Sequence, residues 1–443
     1  MADRPPQRSS LYVTGRLPIL VAVGVVPVIL LSSAGVDAAI AAWAWILLCT
    51  LLTLADALAA PDPRALRIER RVPRRVLLGQ SVVGELRLRN TGRRTVRGRV
   101  RDAWQPTAGA PAEHPAISIP PGEGRTVSVP LLPRRRGELT SRFVILRSDG
   151  PLRIAGRQVR IDSVGAIRVL PPFTARRHLP SRLARLRELD GNTSVQVRGQ
   201  GTEFDSLREY VRGDDVRSID WRATARSSTT MLRTWRPERD RHVVIVVDTG
   251  RTAAARVGDG VRMDAAMEAA LLLAALATRA GDHTHLLMFD RVIRARVTGV
   301  DGPALLPALV DAMAPVEPQL IDTDWDAAFA QVRTLTSRPS LVVLLTAQDA
   351  ADAARGFLGS LPALTRRSHV LVGTVTDEPA PRPARPDASD VYRAAATERS
   401  LRDAAVVTSA IGRAGAEAIA GDPERLPPLI ADRYLALKAA GRL

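Results

Sequence analysis

Three aspartates in one short stretch, Asp214, Asp215 and Asp220, are the residues whose type and spacing best suit chemistry. They lie in GQGTEFDSLREYVRGDDVRSIDWRATARSSTTMLRTWRPERDRHVVIVVD, interleaved with Arg217, Arg222 and Arg226, with Tyr210, Trp221 and Trp235 as apolar bodies between the charges. Such spacing fits an ion-pair network pinned over aromatic surface, in which guanidinium–carboxylate contacts fix geometry more than they add stability. The same carboxylates could instead be the metal ligands or acids of a metal-dependent hydrolase. Against that stand the arginines, which would compete for them, and the lack of a histidine among them. A further acidic position, Asp248, ends the apolar run HVVIVVD and is followed by Thr249, Gly250 and Thr252.

Other catalytic patterns fail. The chain has no GxxxxGK[ST], HExxH or GxSxG, and Gly199-Gln200-Gly201 lacks the third glycine of a dinucleotide fingerprint. His283 and His285 share one face of a strand without a third ligand candidate and read as structural or exposed.

The elements that must position these residues are set by charge and hydropathy. The chain has 443 residues, 63 basic against 46 acidic, and a single cysteine, Cys49. That excludes a disulfide-stapled scaffold and a multi-cysteine metal site, and suits a reducing compartment. Lys438 is the one lysine; every other basic residue is arginine. Residues 1–60 are neutral, 61–241 carry +19 and 242–443 carry −2, so a basic middle joins a near-neutral C-terminal part. Such a middle suits an acidic partner, anionic lipid or nucleic acid. Aromatics make up only 4% of the chain and do not interleave as a stacking platform, so nucleic acid is not expected.

Leu17 to Val36 and Ala38 to Ala55 are two uncharged stretches parted by Asp37, each long enough to cross a bilayer as a helix. Pro27 predicts a kink in the first, and Trp43 and Trp45 read as interfacial aromatics. Arg4, Arg8 and Arg16 precede the pair and Arg64, Arg67, Arg70, Arg71, Arg74 and Arg75 follow it, which predicts both ends on the cytoplasmic side, the later arginines near anionic headgroups. Residues 1–60 are therefore read as a two-span membrane hairpin. Over 61–170 apolar residues alternate, as in SVVGELRLRN, where Leu86 and Leu88 face one way and Arg87 and Arg89 the other; this predicts a β-sandwich-like domain. Residues 171–241 form a basic linker containing the aspartate-rich stretch. From 242 to 443, all-apolar strands (HVVIVVD, THLLMFD, SLVVLLTA, SHVLVGTV) alternate with amphipathic helices, predicting a doubly wound α/β domain whose ligand position, outside the strand carboxyl ends, is where Asp248 falls.

The run Gly201, Phe204, Leu207, Arg208, Glu209, Tyr210, Gly213, Asp214, Asp215, Arg217, Ile219, Asp220, Trp221, Ala223, Ala225 and Arg226, followed by Glu238 and Arg239, resembles the signature of the bacterial family called domain of unknown function 58. The double span, RRRGELTSRFVILRSDGPL and LPPLIADRYLALKAAGRL fit the same layout. Members are commonly encoded beside a MoxR-type AAA+ ATPase, so the resemblance implies such a partner. Residues 242–443 resemble a von Willebrand factor A-like domain. That family binds Mg²⁺ or Mn²⁺ through an Asp-x-Ser-x-Ser loop, a Thr from a second loop and an Asp after a later strand. Asp248, Thr252 and Thr323 match, whereas Gly250 replaces the first Ser and Ala347 the last Asp. The resemblance implies a degenerate metal site with weak Mg²⁺ binding or none, which Gly250→Ser with Ala347→Asp should strengthen.

These readings converge on a non-enzymatic, membrane-anchored cytoplasmic adaptor working with a MoxR-type ATPase in assembly or remodelling of other complexes. The signature residues Tyr210, Gly213, Asp214, Asp215, Arg217, Asp220, Trp221 and Arg226 are expected to be a structural clasp between the β domain and the C-terminal sheet. A hydrolase using Asp214, Asp215 and Asp220 and a nucleic-acid binder are the alternatives.

Overall fold

A computed structural model describes residues 9–193, 203–212, 214–236, 241–258, 260–348, 354–376 and 388–443. Gly201, Gly213, Glu238 and Arg239 of the signature, and Arg4 and Arg8 of the N-terminal flank, lie outside the described residues. The chain divides into two compact units, Met1–Leu170 and Pro171–Leu443.

The first unit opens with a strand that the sequence reading did not expect, Ser9–Val13 (β1). Helices α1 (Arg16–Val23), α2 (Val25–Ser33) and α3 (Ala38–Ala59) follow. Asp37, which parts the two apolar stretches, caps α3 by accepting the N–H groups of Ala39 and Ile40. Two apolar stretches, Arg16–Ser33 and Ala38–Ala65, are long enough to cross a membrane, and only 6% and 11% of their most apolar windows are buried. A soluble core hairpin would hide these side chains; here Ile29, Leu30, Trp43 and Leu47 all stand exposed. Pro27 does interrupt the first span, but the break falls one turn earlier, at Gly24, because the proline ring displaces the carbonyl four residues back. Gly24 also lets α3 approach closely: a Cβ there would run into the Trp45 indole. Trp45 therefore packs between helices, and of the two tryptophans only Trp43 (71% exposed) remains outward.

Strands β2 (Leu66–Arg71), β3 (Arg75–Leu77), β4 (Val82–Asn90), β5 (Val96–Trp104), β6 (Ala116–Ile119), β7 (Gly124–Leu131), β8 (Gly137–Asp149) and β9 (Ala155–Leu170) form two sheets. One has the order β1-β9-β8-β5-β6 with β3 beside β9, the other β2-β4-β7. Leu86 and Leu88 of β4, Val127 and Val129 of β7, Val100 of β5 and Leu146 of β8 share one buried cluster, so the two sheets pack as a sandwich while Arg87 and Arg89 stay outside. Arg70 corrects the headgroup expectation. It points inward from β2, pairs with Asp102 at 2.5 Å with both side chains 3% exposed, and donates to the Ser141 and Ser163 carbonyls. It cannot reach a lipid.

The second unit begins with α4 (Leu179–Thr193), the hairpin β10 (Glu203–Glu209) and β11 (Met231–Arg236), and the short helix α5 (Trp221–Thr224) between them. Then come β12 (His242–Asp248), the two-residue strands β13 (Arg256–Val257) and β14 (Gly260–Val261), α6 (Arg262–Arg279), β15 (His283–Phe289), β16 (Ile293–Val297), α7 (Leu305–Met313) and α8 (Trp325–Leu335). The unit ends with β17 (Leu341–Leu345), α9 (Arg355–Ser360), α10 (Pro362–Thr365), β18 (His369–Val375), α11 (Ala388–Arg413), β19 (Glu417–Gly421) and α12 (Leu426–Ala439). The sheet order is β16-β15-β12-β17-β18-β19, parallel except for the edge strand β16. Strand β12 is apolar on both sides for a visible reason. Val243, Ile245 and Val247 pack with α6 and α12, and Val244 and Val246 with Trp325, Phe329 and Phe357 on the other face.

Candidate functional site

The order in which strands are added reverses between the parallel strands β12 and β17, from which the sheet is wound outward on either side, and their carboxyl ends frame the crevice where doubly wound sheets hold ligands. Asp248 stands there, 3% exposed. Its Oδ1 accepts the Gly250 N–H at 2.8 Å and the Thr323 hydroxyl at 2.5 Å; its Oδ2 accepts the Thr346 hydroxyl at 2.6 Å and that of Thr252 at 3.3 Å. The structure thus brings Asp248, Thr252 and Thr323 together. It adds a fourth oxygen the sequence reading missed, because that reading looked for an acid at position 347 and passed over the hydroxyl one residue earlier.

The neighbouring Thr249 donates its hydroxyl to Asp290, fully buried at the end of β15. Burial opposes the charge on Asp290, yet the Arg294 guanidinium, the Arg291 and Val292 N–H groups and the Thr249 hydroxyl together hold its carboxyl below the usual range. The open volume behind Asp248 is about 10 Å³, lined also by Arg262, Thr346, Ala347 and Gly373. That is room for about one water and none for a substrate.

Mg²⁺ demands a near-ideal octahedron of oxygens. The donor set offers one carboxylate and three hydroxyls, Ala347 contributes no side-chain oxygen, and the Arg262 cation lines the same crevice. Gly250 cannot become a ligand. A Cβ at that position would strike the Thr323 hydroxyl, the Ile321 carbonyl and Asp248 itself, so Gly250→Ser would break the cradle and not complete it. These residues fit Mg²⁺ poorly.

The signature residues occupy the β10/β11 hairpin and the excursion between its strands. Asp214 accepts from the Arg208 guanidinium at 2.7 Å and from the Val211 N–H. Asp215 accepts the Arg217 N–H and caps a short turn at Val216–Ser218. Asp220 caps α5 through the N–H groups of Arg222 and Ala223 and pairs with Arg233 at 2.7 Å. The Ala223 N–H first, and then the Arg233 guanidinium, hold its carboxyl below the usual range. The aspartates' partners are therefore strand arginines and backbone amides, not the interleaved Arg217, Arg222 and Arg226, which are exposed together with Arg212. Trp221 differs most from expectation. As the first residue of a one-turn helix it projects outward and is 71% exposed, with Val211 (62%) and Val216 (59%) in the same excursion. Tyr210 closes the hairpin through its N–H to the Thr230 carbonyl. Among the described residues, no group of three His, Cys, Asp or Glu side chains is placed to hold a metal.

A third histidine does join His283 and His285. His242 is the register partner of His283 on the adjacent strand, stacks on both rings at 5.2 Å, and shares a 2.9 Å hydrogen bond with His285. Burial, and then the neighbouring His242 and His283, hold the His285 ring below its usual value.

The described residues thus combine two apolar helical stretches long enough to cross a membrane, a β-sandwich, and an α/β domain with a closed carboxylate at its switch point. Residues 206–384 match the family described as Protein of unknown function DUF58. Among the curated proteins none matches. Of solved structures, the chain is similar to the SpRpn10 VWA domain at 8% identity, covering 44% of this chain and 94% of that one, with a TM-score of 0.30. It is also similar to the CARDB domain of the PF1109 protein from Pyrococcus furiosus at 16% identity, covering 25% and 96% with a TM-score of 0.17. A third similarity is to alpha-2-macroglobulin from Escherichia coli at 18% identity and a TM-score of 0.20, covering 25% of this chain and only 17% of that one.

Proposed function

We propose that this chain is a membrane-anchored adaptor, not an enzyme, that it docks a MoxR-type AAA+ ATPase on the cytoplasmic side, and that its C-terminal domain is a von Willebrand factor A-like module without a resident metal. The observation that carries this reading is the signature hairpin. Its aspartates are spent on holding loops in place, while Trp221, Val211 and Val216 stand exposed beside Arg212, Arg217, Arg222 and Arg226. Tryptophan and arginine are the residues that most often dominate binding energy at protein interfaces, and four outward cations suit an acidic partner face. The module assignment draws on the sheet order with its antiparallel edge and on the meeting of Asp248, Thr252 and Thr323. The choice of ATPase rests on the family resemblance, and the cytoplasmic placement of both ends on the arginine flanks.

The test is cross-linked capture of the full chain from its native membranes, comparing wild type with Trp221→Ala and Arg217→Glu. Both side chains are exposed, so the variants should melt as the wild type does. The expected result is recovery of the ATPase with the wild type and its loss with either variant. Equal recovery with both would remove the hairpin as the docking face, and no ATPase in any sample would remove the partner.

A further inference from the structure

At the foot of the helix pair, where α1 and α3 meet β1, lies a cavity of about 540 Å³. That is within the roughly 300–1,000 Å³ typical of pockets that hold small molecules. The helices touch at Gly24 and Trp45, and the lining residues lie between that crossing and β1. Ile46, Cys49, Thr53 and Ala57 line it along one face of α3, Leu17 and Val21 from α1. The Thr50 and Thr53 hydroxyls donate to the Ile46 and Cys49 carbonyls of their own helix, so the wall is apolar in effect. An apolar cavity of this kind stays dry, and left empty it would forfeit packing on every side.

The strand that closes it gives a second sign. Leu11 and Val13 of β1 are 58% and 59% exposed although they belong to the β-sheet and not to a span. Tyr12, between them, is tied down through its hydroxyl to Asp149, so the strand is fixed and presents these two side chains at the cavity. Cations mark the same level. Arg16 begins α1, and Arg157 holds the Ala57 and Leu58 carbonyls at the end of α3.

We propose that this cavity seats one acyl chain of an anionic phospholipid, drawn from the bilayer and laid against β1, with its headgroup beside Arg16 and Arg157. The proposal rests on the membrane reading of the two helices. An acyl tail is the apolar molecule that such helices meet at high concentration, and the cations favour a negative headgroup over a neutral one.

The test places the full chain in phosphatidylcholine nanodiscs doped with phosphatidylglycerol that carries a photoactivatable diazirine on its acyl chain. A parallel arm carries the diazirine on phosphatidylcholine. The expected result is labelling of the peptide containing Leu11 and Val13, stronger from the anionic lipid. Thr53→Trp, and independently Val21→Trp, fill the space and should cut that label roughly tenfold. Label at outward Leu47 and Leu51 should be unchanged in both variants. Label at Leu47 and Leu51 with none at β1 would overturn the seat while leaving the membrane reading intact. Label at neither place would overturn the membrane reading with it. A β1 label insensitive to both tryptophans would show surface contact only, and equal labelling by the two lipids would overturn the anionic preference.

Discussion

Lys438→Met is expected to lower the melting temperature of the C-terminal domain by on the order of 10 °C. The one lysine among 63 basic residues has a side chain only 7% exposed. Its Nζ donates to Asp282 at 2.9 Å and to the Ala280 carbonyl at the end of α6 at 3.1 Å, and lies 3.5 Å from the Tyr434 hydroxyl. Tyr434 in turn donates to Asp282, itself 2% exposed. A compact ammonium directs its donors around a point, whereas a guanidinium spreads them in a plane, and the three oxygens here are all met from the one Nζ. Methionine leaves the Asp282 charge buried beside a single hydroxyl, at a cost of about 3–5 kcal/mol. Calorimetry of the full chain checks the shift, and Asp282→Asn combined with Lys438→Met should recover part of it. A change under about 1 kcal/mol would mean that the pair is solvated.

Asp56→Ala should loosen the joint between α3 and the sandwich. Asp56 lies near the end of α3, 2% exposed, and its carboxylate accepts the N–H groups of Leu152, Ile154 and Ala155 at 2.7, 2.8 and 2.9 Å. Gly150 makes room for it, since a Cβ there would collide with the carboxylate. Alanine strands these donors, two of them buried, at about 1–3 kcal/mol each. Hydrogen exchange of the full chain should show the amides of Ile154 and Ala155 losing protection while those of β12 keep theirs. Unchanged protection at residues 152–155 would show that the loop holds itself.

Elements whose pattern is local were legible in the sequence, and those closed by distant partners were not. The apolar helices follow from their uncharged length, the strand at Leu86 and Leu88 from its alternation, and β12 from its unbroken apolar run. Strand β1 did not, because five residues make a weak signal and their partners, Ala155 to Val159, lie 142 to 150 positions away. Arg70 was readable and was overlooked: it stands at the i+4 position from Leu66 on the inward face of β2. The site was legible in part. The joining of Asp248 to Thr252 and Thr323 followed from the family pattern, but Thr346 and the steric closure at Gly250 depend on how loops cross the strand ends. Trp221 was misplaced because interleaved charge and aromatics look alike whether a ring is pinned under a network or held out from it.

The central claim is that the aspartates here are framework and that the protein works by docking. The measurement that tests it most directly is calorimetric titration of Mg²⁺ into the full chain, repeated with Asp248→Asn. The claim predicts no saturable heat up to millimolar Mg²⁺, and a lower melting temperature for Asp248→Asn whether or not Mg²⁺ is present, because the hydroxyls of Thr323 and Thr346 lose their charged acceptor. Saturable binding that raises the melting temperature of the wild type and vanishes in Asp248→Asn would contradict it, and would make the crevice at Asp248 a metal centre.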